Sequence, residues 1–284
     1  MSGKTTSYTN AAFYKEFMPI KMECFKMENI YQHFRESERQ FIDTVLNWKE
    51  QVETQYSPKL TAFLDPREQW ITQSIIGEQG DIRVSFFGGH EDVERKRALI
   101  YPDYYIVEKE DFHLALYEVE YPKKFVTLEH RHLLGSLLSL GIKREKFGDI
   151  LLVEDTIQII VADEIASYVE MNFKEVGRLN ISLKRIGDKN IQVPKIDFDE
   201  KVTTASSLRL DTVCASIYNL SRQKAKLLVQ NGLVKVNFKV VEESSFEVEK
   251  GDLISIRGYG RSKVLSIEGK TKKEKWRIVV GKQK

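Results

Sequence analysis

The sequence predicts an α+β protein of three small domains: a helical α+β unit, a βαββαβ unit, and a terminal unit of two helices followed by short strands. Three observations predict it. Apolar residues recur at helical spacing in some segments and alternate in others, in an order that breaks into three blocks. The 284-residue length suits two or three compact units, and Gly and Pro number only 16 and 6. Charge is uneven: residues 201–284 hold 18 Lys and Arg against 8 Asp and Glu, whereas residues 1–200 hold 26 against 34. A basic block hidden in a chain of net charge +2 is the footprint of a nucleic-acid-binding module joined to something that is not basic.

Residues 1–26 contain Lys4, Lys15, Glu16, Lys21 and Glu23 but no apolar run, so they read as a disordered extension and not as a secretory signal. The first domain is expected over 27–105. Phe34, Phe41, Ile42, Val45, Leu46 and Trp48 predict an amphipathic helix from Tyr31 to Thr54. Asp65 is a natural N-cap for a helix over Pro66–Ile76. Ile82–Phe87 alternates as a strand ending in Gly88-Gly89, with Arg97–Tyr101 as its return partner.

The second domain is expected over 106–187. Its predicted order is strand Phe112–Tyr121, helix Leu128–Leu140 closed by Gly141, strands Asp149–Val153 and Thr156–Val161, helix Asp163–Phe173, and strand Leu179–Ile186. That β-α-β-β-α-β order is the ferredoxin-like or RRM-like topology. Residues 188–205 read as a linker, with Pro194 among scattered charges and threonines.

The third domain, over 206–284, opens with a helix at Leu208–Ile217 and a second helix capped by Ser221 and stopped by Gly232. Strands are expected at Leu233–Val236, Phe246–Val248, Leu253–Ile256, Val264–Ile267 and Trp276–Val280, the last two forming a terminal hairpin.

No run approaches 18 apolar residues, so no membrane span is expected. The two cysteines, Cys24 and Cys214, lack metal or disulfide spacing, which fits a reduced cytoplasmic protein without structural zinc. Cys214 reads as a small buried hydrophobe. The five His residues form no pair at spacing four on a helix, and no Gly-x-Gly-x-x-Gly or other nucleotide-binding element appears. Neither a metal nor a cofactor is therefore expected, and no enzyme activity is assigned.

On the second terminal helix, Arg222, Lys226 and Gln230 are spaced by four and share a polar face, with Lys224 flanking the row and Ala225, Leu228 and Val229 facing inward. Ser221 and Arg222 sit at the helix N-terminus, where a phosphate is favoured. Arg209 is expected to reach the same surface, and Lys235, Asn237 and Lys239 extend it onto the following hairpin. Such a cationic face with polar hydrogen-bonders suits structured RNA, recognised through shape, phosphates and 2′-hydroxyls. Arg257-Gly-Tyr-Gly-Arg261 adds two cations and an aromatic beside it.

Arg209-Leu-Asp211, Ser221-Arg222-x-x-Ala225, Gly232-x-Val234-x-Val236-Asn237 and Gly251-Asp252 together resemble the RNA-binding domain named after small-subunit ribosomal protein S-four, with a core over about 206–258. The resemblance implies RNA contact by Arg209, Ser221, Arg222, Lys224, Lys226 and Asn237, with Asp211 orienting Arg209 or capping backbone. Family members often carry Gly after the hairpin Asn; here stands Phe238, which alters the turn or offers a stacking surface. Met27-Glu-Asn-Ile-Tyr-Gln-His-Phe34, Phe87-Gly-Gly-His90 with Glu94-Arg-Lys-Arg97, the loop Leu140–Asp149, and Arg257–Arg261 make the whole of 27–284 similar to the bacterial YlmH family. That resemblance implies a cytoplasmic, noncatalytic protein with an RRM-like middle domain and an S-four-like end. Its implied partners are ribosomal RNA, on the large subunit with tRNA during rescue of stalled translation, and division or translation proteins. A protein-interaction adaptor in cell division, with weak nucleic-acid binding, is the alternative.

Two further features bear on the middle domain. Lys143, Arg144 and Lys146 form a second basic cluster, equally readable as a solvated loop. The strand Thr156–Val161 lacks the aromatics on which RRM domains stack bases, so the middle domain is expected to serve protein contact or spacing.

Overall fold

The computed structural model describes residues 5–8, 27–123, 126–194 and 196–283. The chain packs into two compact units, residues 20–194 and residues 195–284, the latter joined by β1 (Thr5–Tyr8). β1 pairs antiparallel with Ile196–Asp199, so the expected disordered extension is corrected at these four residues. Their hydrogen bonds come from the backbone, which no apolar pattern announces. The rest of 1–26 lies outside the described residues, Cys24 included.

In the unit over 20–194, short 3-10 turns at Met27–His33 and Glu36–Glu38 precede α1 (Arg39–Gln55). The helix starts eight residues after the predicted Tyr31. Buried Glu38 accounts for the break: its carboxylate accepts the Arg35 N–H at 3.1 Å and the Arg67 Nε–H at 2.8 Å. β2 (Lys59–Leu64) was not foreseen. α2 (Pro66–Ile76) has its predicted bounds, because Asp65 accepts the N–H groups of Arg67 and Glu68 while Glu68 accepts that of Asp65, each at 2.9 Å. β3 (Ile82–Phe87) and β4 (Lys96–Pro102) complete an antiparallel sheet in the order β2-β4-β3. Ile42, Val45, Val52, Ile71 and Ile75 of the helices pack against Ile82 and Ile100. Burying each such side chain favours folding by about 1.5–3 kcal/mol before entropy is counted.

The same unit continues through β5 (Leu114–Glu120), α3 (His130–Ser139), β6 (Phe147–Val153), β7 (Thr156–Ala162), α4 (Ala166–Asn172), the two-residue strands β8 (Glu175–Val176) and β9 (Leu179–Asn180), and β10 (Ser182–Arg185). Its antiparallel sheet runs β10-β5-β7-β6, the ferredoxin-like order that the sequence predicts. One face packs Tyr117, Ile157 and Ile159 against Leu133, Leu137, Val169 and Phe173.

The other sheet face is closed. Leu116, Leu151 and Ile160 lie against Phe63 of β2, Val93, and the segment carrying Ile186, Ile191 and Val193. Gln158 pins that segment, donating Nε2–H to the Asn190 carbonyl at 2.9 Å and accepting the Gln192 N–H at 2.8 Å. Gly148 permits the approach of the first sheet, since a Cβ there would stand 2.8 Å from Phe63 Cε1. Asp149 accepts the N–H groups of Glu94 and Arg95 at 2.5 and 3.2 Å, and burial with the nearby Glu94 carboxylate pushes its own carboxyl up to about 6. Arg97 joins Thr61 and Glu164 at 2.8 and 3.0 Å. An RRM-like face filled in this way offers no base-stacking platform.

The unit over 195–284 is built from β11 (Ile196–Ala205), α5 (Leu210–Tyr218), α6 (Arg222–Gln230), β12 (Val234–Val236), β13 (Lys239–Val240), β14 (Leu253–Ile256), β15 (Gly260–Lys270) and β16 (Trp276–Gln283). The antiparallel sheet runs β1-β11-β16-β15-β14-β12-β13. Two expectations are corrected. The linker over 188–205 is a sheet-covering segment and then the ten-residue strand β11, whose exposed Lys201, Val202 and Thr204 hide any alternation. Phe246–Val248 forms a single bridge, Arg209 with Glu247, and otherwise fastens the start of α5 through Leu210 N–H to Phe246 and Val248 N–H to Leu208. Both helices lie on one sheet face, where Leu210, Val213, Ile217, Ala225 and Val229 meet Val234, Val236, Ile254, Ile256, Val264 and Ile278. Cys214 is fully buried there, as the sequence suggests, and burial pushes its thiol up to about 12.

Candidate nucleic-acid interface

Asn219, in the left-handed conformation, closes α5, and α6 begins three residues later, with Ser221 as its cap. The Ser221 hydroxyl accepts the Lys224 N–H at 3.2 Å, so its oxygen caps the helix while its O–H can still donate. Gly232, at φ +67°, ends the helix as predicted.

The centre of the site is Asp211, 2% exposed at the start of α5. Its Oδ1 accepts from the Thr212 N–H at 2.9 Å and from Arg209 Nε at 3.2 Å; Arg209 Nη2 lies 3.4 Å from Oδ2. Arg222 Nε, from the next helix, stands 3.6 Å from that same Oδ2. Burial opposes ionisation, yet the hydrogen bond and charge of Arg209, aided by Thr212 and Arg222, hold the Asp211 carboxyl below the usual carboxylate range. One buried anion thus sets two guanidinium groups side by side with their outer edges in solvent. Lys226, exposed one turn beyond Arg222, extends the row without a carboxylate partner among the described residues, and Gln230 continues it.

Lys224 does not belong to this row. Residues two apart on a helix stand about 200° apart around its axis, which carries Lys224 to the opposite flank of α6. There its Nζ lies 5.6 Å from the Tyr259 ring centroid. Tyr259 packs edge-on to Tyr218, centroids 6.1 Å apart, and Tyr218 donates its O–H to the Ile254 carbonyl at 3.1 Å. Sequence spacing alone carried the signal for this second flank.

The hairpin residues divide. Asn237 is turned inward: Nδ2 donates to Asp252 Oδ1 at 2.7 Å and Oδ1 accepts the Leu253 N–H at 3.0 Å, so it fixes the turn. Asn237 and Phe238 take φ of +48° and +68°, the tight turn that ordinarily places Gly second. Exposed Lys235 alternates with buried Val234 and Val236 and therefore faces away from the helices. Arg261 shares that far face through Ser255, with its guanidinium 5.8 Å from the Phe238 ring centroid. Lys239, exposed, pairs with Val236. The structure therefore gathers Arg209, Arg222, Lys226 and Gln230, puts Lys224 across the helix, leaves Arg257 exposed in the turn after β14, and leaves Lys235 and Arg261 on another surface.

In the other basic cluster, Arg144 donates to the carbonyls of Phe147 and Gly148 at 2.6 and 3.1 Å and Lys146 pairs with Glu164 at 2.9 Å, so two of its three cations are engaged structurally. Among the described residues no group of three or more His, Cys, Asp or Glu could hold a metal ion, and no helix is long and apolar enough to cross a membrane.

Two short helices on an antiparallel sheet, with paired arginines anchored on one buried aspartate, define the C-terminal unit as an S4 domain, and the family profile of that name matches residues 208–254. Profiles described as "YlmH, N-terminal" and "Putative RNA-binding domain in YlmH" match residues 37–105 and 107–199. The chain is 49% identical over 258 residues, 91% of its length and 100% of the relative's, to the ribosome-associated protein quality control protein P2 of Bacillus subtilis. The chain belongs to the YlmH family. It is also 46% identical over 55 residues to the uncharacterized RNA pseudouridine synthase MG209 of Mycoplasma genitalium, a match covering 19% of this chain and 17% of that protein. A solved structure of the cell division protein ylmH from Streptococcus pneumoniae aligns with TM-score 0.49 and 34% identity over 57% of this chain and 99% of that one.

Proposed function

We propose that this protein is a noncatalytic RNA-binding protein that docks on structured ribosomal RNA through its C-terminal unit. The observation that carries this reading is the Asp211 anchor, which holds Arg209 and Arg222 together as a preorganised phosphate fork beside Lys226. The surplus of cations over 201–284 supplies the long-range attraction. The relative named for ribosome-associated quality control, aligned with 91% of this chain, supports a ribosomal target. On this reading the setting is the cytoplasm and the large subunit, with tRNA, when translation has stalled. The unit over 20–194, whose RRM-like sheet face is filled, positions or recruits another component.

The test is cosedimentation with ribosomes at low and moderate salt. The full chain pellets and is released steeply as salt rises from about 50 to 200 mM, because each phosphate contact releases counterions. Arg222→Ala with Lys226→Ala loses most of that association. Equal pelleting by the double variant, with unchanged salt response, refutes phosphate docking and leaves a protein-interaction adaptor as the reading.

A further inference from the structure

Around α6 the exposed side chains form three parallel strips. Arg222 and Lys226 line one flank and are joined by Arg209 through Asp211. Lys224 lines the other flank, with its Nζ 5.6 Å from the Tyr259 ring centroid. The crest carries no charge: Gln223 and Leu227 are exposed, Leu227 by 52%, and the row of Arg222 and Lys226 slants onto the crest at exposed Gln230. Buried Ala225 and Val229 on the inner side fix this orientation.

Cations on both flanks of an uncharged ridge are the pattern of a helix lying between two lines of phosphate. A helix with its side chains is about 10–12 Å across, and nine residues extend about 13 Å. A single strand offers one line of phosphate and would leave one flank unused. Base stacking is also disfavoured, since the Tyr259 ring already meets Lys224 over its face and Tyr218 at its edge. The wide, shallow minor groove of an A-form helix displays 2′-hydroxyls and base edges, which suit the glutamine amides and the ribose-contacting methyls of Leu227.

Resting on the RNA-binding reading above, we infer that α6 seats in the shallow groove of a double-helical RNA segment. Arg209, Arg222 and Lys226 take the phosphates of one strand, Lys224 those of the other, and Gln223, Leu227 and Gln230 face the 2′-hydroxyls and base edges between.

The experiment measures binding of the full chain to three probes: an RNA stem-loop of about twelve base pairs, a DNA stem-loop of the same sequence, and an unstructured RNA of equal length. The RNA stem is bound at least about tenfold more tightly than either competitor. Leu227→Glu, which places a carboxylate on the crest, weakens RNA-stem binding by about tenfold or more. Gln223→Ala with Gln230→Ala removes side chains from solvent-facing positions, so it keeps the fold; it weakens RNA-stem binding more than DNA-stem binding and so narrows the preference for RNA severalfold.

Equal affinity for RNA and DNA stems, preference for the single strand, or wild-type preference in the glutamine variant overturns the groove assignment. If the RNA stem is bound, and lost with Arg222→Ala and Lys226→Ala, while the crest variants behave as wild type, only this inference falls. If no RNA is bound at all, the proposed function falls with it.

Discussion

Arg222 Nε lies 3.6 Å from Oδ2 of Asp211, an aspartate on the preceding helix that is 2% exposed and already holds Arg209. The pair is unequal, because Arg222 is 62% exposed and gains little stability from the contact, whereas Asp211 needs its partners to remain ionised. The relation serves orientation more than cohesion. Asp211→Asn keeps an acceptor for the Thr212 N–H but removes the charge that fixes both guanidinium groups. RNA affinity should fall about three- to tenfold, with stability reduced by about 1–2 kcal/mol. Titration calorimetry and denaturant melts read the two effects separately, and an unchanged affinity would show that the fork needs no anchor.

Asn237→Ala removes both hydrogen bonds that fasten the hairpin to Asp252 and Leu253 and places a poorer residue at positive φ. It should destabilise the C-terminal unit by about 2 kcal/mol. The salt dependence of RNA binding should stay as in the wild type, since the amide is uncharged and bonds inward to Asp252 and Leu253. A shallower salt slope in this variant would restore Asn237 to the interface.

Phe238→Gly relieves a bulky residue held at φ +68° and gives up the contact with Arg261. The first term outweighs the second, so a net gain of about 0.5–1 kcal/mol is expected in denaturant melts. A loss of stability would mean that the ring packs more tightly than its distance from Arg261 indicates.

Asp149 gives the unit over 20–194 a pH response. Its carboxyl is raised from the ordinary value near 4 to about 6, so between those values the folded state keeps a proton that the unfolded chain has lost. Its contribution is therefore greatest below about pH 4 and is lost as pH rises to about 6, by up to about 3 kcal/mol. Asp149→Asn should flatten this fall in denaturant melts across that window. A slope persisting up to about pH 7 is expected from Asp65, raised to about 7 by burial and by Glu68.

Local chemistry made part of this architecture legible in advance. The capping box at Asp65 and Glu68 delimits α2, and the cap and stop at Ser221 and Gly232 delimit α6, because each side chain or glycine acts within a few residues. The ferredoxin-like order was legible because its buried strands are rich in Ile and Val. β11 was not, since its exposed side chains alternate with no apolar face and its partners lie over 70 residues away in β16. The filled face of the middle sheet depends on Phe63 and Val93 from elsewhere in the chain, and no local pattern announces that. In the site itself, the row of Arg222 and Lys226 follows from helical spacing; the same spacing removes Lys224 from it. The inward turn of Asn237 needed Asp252, fifteen residues on, to become visible.

The pairing of Thr5–Tyr8 with Ile196–Asp199 has one more effect. A variant lacking those four residues would bare the outer amides and carbonyls of β11, and a bare strand border is an invitation to foreign polypeptide. The pairing covers only the first four of the ten residues of β11 and makes β1 the outermost strand, so it moves that border outward without sealing it.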